Sequence, residues 1–272
     1  MTPAQFAAIT IASAAGSAVN AVAGGGTLVT FPTIVWLGVP PLVANATSTV
    51  ALWPGGASSM WGYREELAGA RPWAVRFAIP SLAGGAIGAW LLLVTSPRTF
   101  DRIVPFLVLG ATVLFLLQNA VRRSVHDRGT RAMATQGNNR TAVLSWEGGS
   151  ALGVPPAPFL LAQFAVAVYG GYFGAGIGIL MLAALGAMGL TNIHQMNGLK
   201  NWGGLCINAV AAVMFAASGI VNWPVAAAMA LGGIAGGYAG ARLAQRAGQA
   251  WVRRAVVAVG FASSAWLLWR AW

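Results

Sequence analysis

Ten apolar segments run along the chain, at about 3–20, 26–37, 42–63, 72–95, 102–121, 157–173, 177–189, 194–218, 223–245 and 250–270. Strand-like alternation is absent and several segments are long enough to cross a bilayer, so the pattern predicts helices packed in lipid. Residues 122–156 break it. They carry Arg122, Arg123, Arg128, Arg131 and Arg140 among Gly, Asn, Ser and Pro, and read as a polar, basic, cytoplasmic connector between a first transmembrane unit at 1–121 and a second at 157–272. Two further interruptions are not polar. Ala23-Gly24-Gly25-Gly26-Thr27-Leu28 and Gly174-Ala175-Gly176-Ile177-Gly178-Ile179 put clustered glycine inside long apolar stretches, where it is costly to a helix.

The two units repeat. A shift of 151 residues places Ala23, Gly25, Leu28 and Gly38 on Gly174, Gly176, Ile179 and Gly189, and a shift of 152 places the run Gly84–Leu91 on Gly236–Leu243. Internal repeats are the usual build of secondary transporters. Basic residues then orient them. If each glycine break returns its segment to the side it entered, one face collects Arg64, Arg71, Arg76, the connector arginines, Arg242, Arg246, Arg253 and Arg254, and the other holds only Arg98, Arg102 and Arg270. If each break lay within one spanning helix, that bias would nearly vanish. Length agrees with the first option, since residues 3–37 as a single helix would reach about 52 Å across a core of about 30 Å. The expected fold is an all-α polytopic membrane protein of two inverted repeats. Each is a glycine-broken re-entrant or short helical hairpin followed by three transmembrane helices, with both termini outside.

Composition narrows the function. The chain is 57% hydrophobic and 8% charged with a mean hydropathy of +0.70, whereas soluble domains are about a quarter charged. The net charge of +11 lies mostly in loops, without the aromatic-interleaved basic patch that nucleic acid would require. Many of the tryptophans fall near span ends, as in an interfacial belt. Cys206 is the only cysteine, which excludes an internal disulfide or a multi-cysteine metal site. No metal or cofactor is expected, and a membrane enzyme would lack an intramembrane acid–base pair. The segment 3–20 has no basic leader and runs straight into a glycine break, so it reads as structure rather than as a signal peptide.

A hairpin broken at mid-depth leaves unpaired amides at the start of its second helix, and these, with the helix dipole, make an anion site. Gly24, Gly25, Gly26 and Thr27, with Gly174, Gly176 and Gly178, are therefore candidate binding positions. Gly84, Gly85, Gly88, Gly236, Gly237 and Gly240 read instead as close helix packing. The segment after each hairpin carries polar side chains: Asn45, Thr47, Ser48 and Thr49 in the first half, and His194, Asn197, Asn201 and Asn208 on one helical face in the second. Lys200, the only lysine, lies near Asn197 and aligns with Thr49. Glu65, Glu66, Asp101, Asp127 and Glu147 all fall in loops or at span edges. A cation path would want carboxylates inside the membrane, whereas an anion path wants lysine, hydroxyls, amides and helix N-termini. Structural alternatives stand beside these readings. Lys200 could snorkel to the interface, and the hydroxyls could bond to their own helix. His194 could be purely structural, although it is also the candidate intramembrane proton carrier.

The Gly24-Gly25-Gly26-Thr27 break followed by Leu37-Gly38-Val39-Pro40 and Ala46-Thr47-Ser48, its echo from Gly174 to Lys200, and the chain length resemble the TauE/SafE membrane permeases, the sulfite exporter family. The resemblance covers nearly the whole chain outside the connector. It implies export of sulfite or an organosulfonate such as sulfoacetate across a bacterial inner (plasma) membrane. Asn197, Lys200 and Asn201 depart from the hydroxyl-rich pattern of the first half. The expected function is a secondary transporter exporting a small oxyanion by alternating access, with the anion held between two half-helix N-termini and Lys200. The alternatives are a channel-like anion pore, a transporter of another small organic acid, or a scaffold acting through 122–156. The expected partners are the small anion and the lipid bilayer, and a homo-oligomer is left open.

Overall fold

The computed structural model describes the chain except residues 24, 63, 65, 66, 68–70, 136–154, 156, 188, 189, 191, 192, 244–248 and 272. The described residues form ten α-helices and no strand. In order these are α1 (Pro3–Ala23), α2 (Thr27–Trp36), α3 (Pro41–Gly62), α4 (Arg71–Val94), α5 (Pro97–Thr135), α6 (Ala157–Tyr172), α7 (Ile177–Ala187), α8 (Ile193–Ser218), α9 (Trp223–Leu243) and α10 (Gln249–Ala271). Each apolar segment becomes one helix, in sequence order. The largest departure is α5. Its start is capped by Ser96, whose Oγ accepts the Thr99 amide at 3.2 Å, and it continues past 121 to Thr135, inside the stretch read as connector. Arginine and alanine are good helix formers, so the loss of apolar character there does not end the helix. The rest of the connector, 136–154 and 156, lies outside the described residues.

Three helical stretches, Pro72–Val94, Pro97–Leu117 and Gln195–Ser218, are long and apolar enough to cross a membrane by length and composition. Large apolar side chains such as Ile11, Trp61, Ile79, Leu161, Leu231 and Trp269 are exposed on the outer surface. Water would penalise such a surface, and lipid does not.

Helix pairings recur between the halves. α1 packs along α9 as α6 packs along α4, and α3 lies on α9 as α8 lies on α4. α3 meets α8, and α5 meets α10. The first helix of each half is thus seated on a helix of the other half, and the two halves interlock. Glycine makes these contacts close enough. A Cβ on Gly84 would lie 2.6 Å from the Phe164 carbonyl oxygen and 2.7 Å from Ala167 Cβ of α6, and one on Gly237 would lie 2.7 Å from Ser58 Oγ of α3. Gly236, the repeat counterpart of Gly84, presses on the Ala14 backbone of α1. Lipid supplies no hydrophobic drive between helices, so this backbone-to-backbone contact is a main source of cohesion.

Gly84→Val should therefore force α4 and α6 apart. Overpacking costs about 1–3 kcal/mol, and a lowered melting temperature of the detergent-purified protein is the expected result. Gly110, whose Cβ would meet nothing within 4 Å, is the control position at which alanine should leave melting unchanged.

Candidate functional site

The site is built on the two breaks. In the first, α1 stops at Ala23 and α2 starts at Thr27. Glycine is needed there for space: a Cβ on Gly26 would lie 2.8 Å from Asn20 Cβ, and one on Gly25 would strike the Phe115 ring of α5. In the second, Gly174 and Gly176 adopt φ of +79° and +81°, a left-handed geometry that L side chains resist. The Tyr169 hydroxyl donates to the Ala175 carbonyl oxygen at 2.7 Å and pins this turn. The same sequence motif thus uses glycine for two different properties.

The first turns after the two breaks bond in a similar way. The Leu28 and Val29 N–H groups donate to the carbonyls of Gly25 and Gly26 at 3.1 and 3.0 Å, and those of Ile179 and Leu180 donate to Gly176 at 3.0 and 3.3 Å. The Gly178 N–H is left with no acceptor among the described residues; Thr27 stands 151 positions before it, and the position that would accept from its N–H, Gly24, lies outside the described residues.

Thr27 and Gly178 line one cavity of about 60 Å³, counted as room for water centres. Its polar wall is Asn20, Thr27, Ser48, Thr49, Ser59, Lys200, Asn201 and Asn208, and its apolar wall includes Leu52, Trp53, Phe173, Ile177, Met181 and Leu205. It sits at mid-length of α3 and α8. Phe31 of α2 meets Phe173 edge-on with ring centroids 5.4 Å apart, which brings the two hairpins together.

Of the positions singled out from sequence, Thr27, Ser48, Thr49, Gly174, Gly178, Lys200 and Asn201 line the cavity. Gly25 and Gly26 are buried behind it, and Gly176 faces Ala111 of α5. Asn45 and Thr47 serve the fold: Asn45 Nδ2 donates to the Tyr172 carbonyl at 2.9 Å, and Thr47 Oγ1 accepts the Asn222 amide at 3.0 Å at the start of α9. Asn197 is buried away from the cavity, with no hydrogen bond to its Oδ1 among the described residues. Gly24 lies outside the described residues; His194 falls in the first turn of α8, and its side chain is likewise outside what is described.

The hydroxyls and Lys200 resolve individually. Thr49 Oγ1 bonds back to the Asn45 carbonyl at 3.0 Å. Ser48 Oγ, 1% exposed, has no hydrogen-bond partner among the described residues, and neither does Asn201 Nδ2. Lys200 does not snorkel. It is 3% exposed, and its Nζ donates to the Asn20 and Ala21 carbonyls at the end of α1, each at 3.3 Å. Asn20 and Ser59 were missed by the sequence reading. A polar residue one turn before the break was the available signal for Asn20. Asn208 stood on the face of Asn201 without being carried into the site. An ammonium, two helix N-termini and unpartnered neutral groups in a small buried space suit an anion, because a buried anion needs several donors at once.

The sulfite exporter TauE/SafE family matches residues 8–267. This chain belongs to that family. It is 27% identical over 252 residues to a "Probable membrane transporter protein" of Haemophilus influenzae, spanning 92% of this chain and 89% of the relative. It is 26% identical over 255 residues to "Probable membrane transporter protein ORF9" of Sinorhizobium sp, covering 92% and 87%. It is also 26% identical over 259 residues to "Probable membrane transporter protein YfcA" of Escherichia coli strain K12, covering 92% and 85%. No solved structure matches it.

In this TauE/SafE chain, adjacent hydroxyls should respond oppositely to removal. Thr47→Val leaves the Asn222 amide without its acceptor and should cost about 1–3 kcal/mol of stability. Ser48→Ala breaks no bond among the described residues and should stay within about 0.5 kcal/mol of the parent. Thermal unfolding of the two variants in detergent checks both.

Proposed function

We propose that this chain is a secondary transporter of the bacterial inner (plasma) membrane that exports a small oxyanion, sulfite before larger sulfonates, by alternating access. The observation that carries this reading is that Thr27 and Gly178, in the first turns of α2 and α7, line one cavity with Lys200 and Ser48. The family description, sulfite exporter, and the relatives' names as membrane transporters support it from outside.

The two helix N-termini, the dipoles behind them and the Lys200 ammonium replace the anion's hydration. Ser48 and Asn201 supply neutral donors to its oxygens. Size favours a compact ion. At roughly 10–15 Å³ of such room per water, the cavity takes about four to six water-sized atoms, enough for a sulfur with three oxygens. A longer sulfonate needs the cavity to widen. The duplicated helix pairings support two repeats, and rocking of inverted repeats exposes the site alternately. The arginine bias supports termini on the outer side. An inside-negative potential drives an anion outward by about 2.3 kcal/mol per charge per 100 mV, so export needs no separately bound fuel.

Purified protein in liposomes should move labelled sulfite with saturable, counterflow-competent kinetics, faster when the potential is set to expel anions. Asn201→Ala and Ser48→Ala should each raise KM about tenfold, the value of one lost hydrogen bond to a charged ligand. Sulfite flux no greater than in protein-free liposomes rejects the substrate. Flux that never saturates rejects the carrier mechanism.

A further inference from the structure

The carbonyl end of α1 carries more information than the anion reading uses. The last four carbonyls of a helix have no donor within it, and a break inside lipid cannot borrow water to supply one. Two of these carbonyls, of Asn20 and Ala21, each receive the Lys200 ammonium at 3.3 Å. Lys200 belongs to α8 in the other half of the chain and is almost fully buried. At the second break the corresponding carbonyl is that of Tyr172, 151 positions after Ala21, and it receives Asn45 Nδ2 from α3 at 2.9 Å. Both breaks are therefore capped from the opposite half at the same backbone position. One cap is a neutral amide and the other a cation.

Carbonyl ends of broken helices are where transporters of this general build coordinate a coupling cation. We propose that Lys200 is a tethered counter-cation: its ammonium occupies a monovalent-cation site made by the Asn20 and Ala21 carbonyls and stands in for a coupling cation beside the anion cavity. This rests on the transport reading above. The wild type then needs no free cation at this position. Shortening residue 200 uncovers two converging carbonyl oxygens next to a site for an anion, and a small cation from solution can fill the gap. Sodium would do so by coordination and methylammonium by N–H donation, whereas N-methyl-D-glucamine is too bulky to enter.

The test compares full-length wild type, Lys200→Ala and Lys200→Met in liposomes, with labelled sulfite and sodium, methylammonium or N-methyl-D-glucamine as the only monovalent cation. Wild-type flux should be alike in all three. Lys200→Ala should fall about tenfold or more in N-methyl-D-glucamine, as for one lost charge-assisted hydrogen bond, and recover several-fold in sodium or methylammonium. Lys200→Met, which keeps the volume without the charge, should stay low throughout. Melting of purified Lys200→Ala should rise with the small cations and not with the bulky one. Wild-type flux that requires sodium overturns the proposal, and so does a Lys200→Ala protein whose flux and melting ignore all three cations. Should Lys200→Ala not fold, Lys200→Ser and the wild-type comparison decide in the same way. If the wild type moves no sulfite but melting of Lys200→Ala still follows the small cations, the cation site stands and the sulfite reading falls.

Discussion

A helix broken inside an apolar bundle strands carbonyls at one side of the gap and amides at the other, and lipid satisfies neither. Each stranded group represents several kcal/mol unless something within the protein meets it. The carbonyl side is met at both breaks by a side chain reaching across from the other half, Lys200 at Ala21 and Asn45 at Tyr172. That requirement explains why the halves interlock, with α3 against α8 and each hairpin seated on its opposite partner. A half folded alone would leave its own break uncapped. The amide side is treated differently. Thr27 and Gly178, in the first turns of α2 and α7, line a cavity, which is where a ligand can meet a helix N-terminus.

Much of this was legible in the chain because lipid simplifies the code. With water absent, only helices satisfy the backbone, so each apolar run maps onto one helix, and ten segments gave ten helices in order. Helix ends were less legible. Apolar character marks residence in lipid, and α5 continues as a helix to Thr135 after that character is lost. The glycine breaks could be located but not explained from sequence. Gly174 and Gly176 are required by a positive φ, and Gly25 and Gly26 by the nearness of Phe115 and Asn20. Two different physical demands look the same when written as a row of glycines.

Side chains around the cavity show the same limit at finer scale. Thr47, Ser48 and Thr49 are chemically similar and adjacent, yet each step along a helix turns the side chain by about 100°. The first therefore reaches the start of α9, the second lines the cavity with no partner among the described residues, and the third bonds back to its own helix. Which of the three does what depends on the position of α9, and no local pattern encodes that. Asn20 escaped notice for a related reason. Its importance comes from the ending of α1 one turn later, which puts its side chain on the cavity and its carbonyl under Lys200.

The asymmetry at residue 200 bears on how firmly such a site should hold its ligand. In a partly buried setting two unit charges at 4 Å attract by about 4 kcal/mol at an effective dielectric of 20. An ammonium committed wholly to a substrate anion would slow its release, and a transporter must release on every cycle. Here Nζ donates to two backbone carbonyls, and Lys200 is among the residues that line the cavity. Those carbonyls carry the negative end of the α1 dipole, so they temper the charge that the cavity feels while fixing where it sits. The neutral cap at Tyr172 gives the opposite break no such charge. On the proposed reading, an anion between the two helix N-termini is therefore drawn toward one wall, and the half containing α8 carries the attraction while the half containing α3 supplies neutral hydrogen bonds. On that reading one residue gives the ligand a preferred seat, and the carbonyls around it keep the seat from becoming a trap.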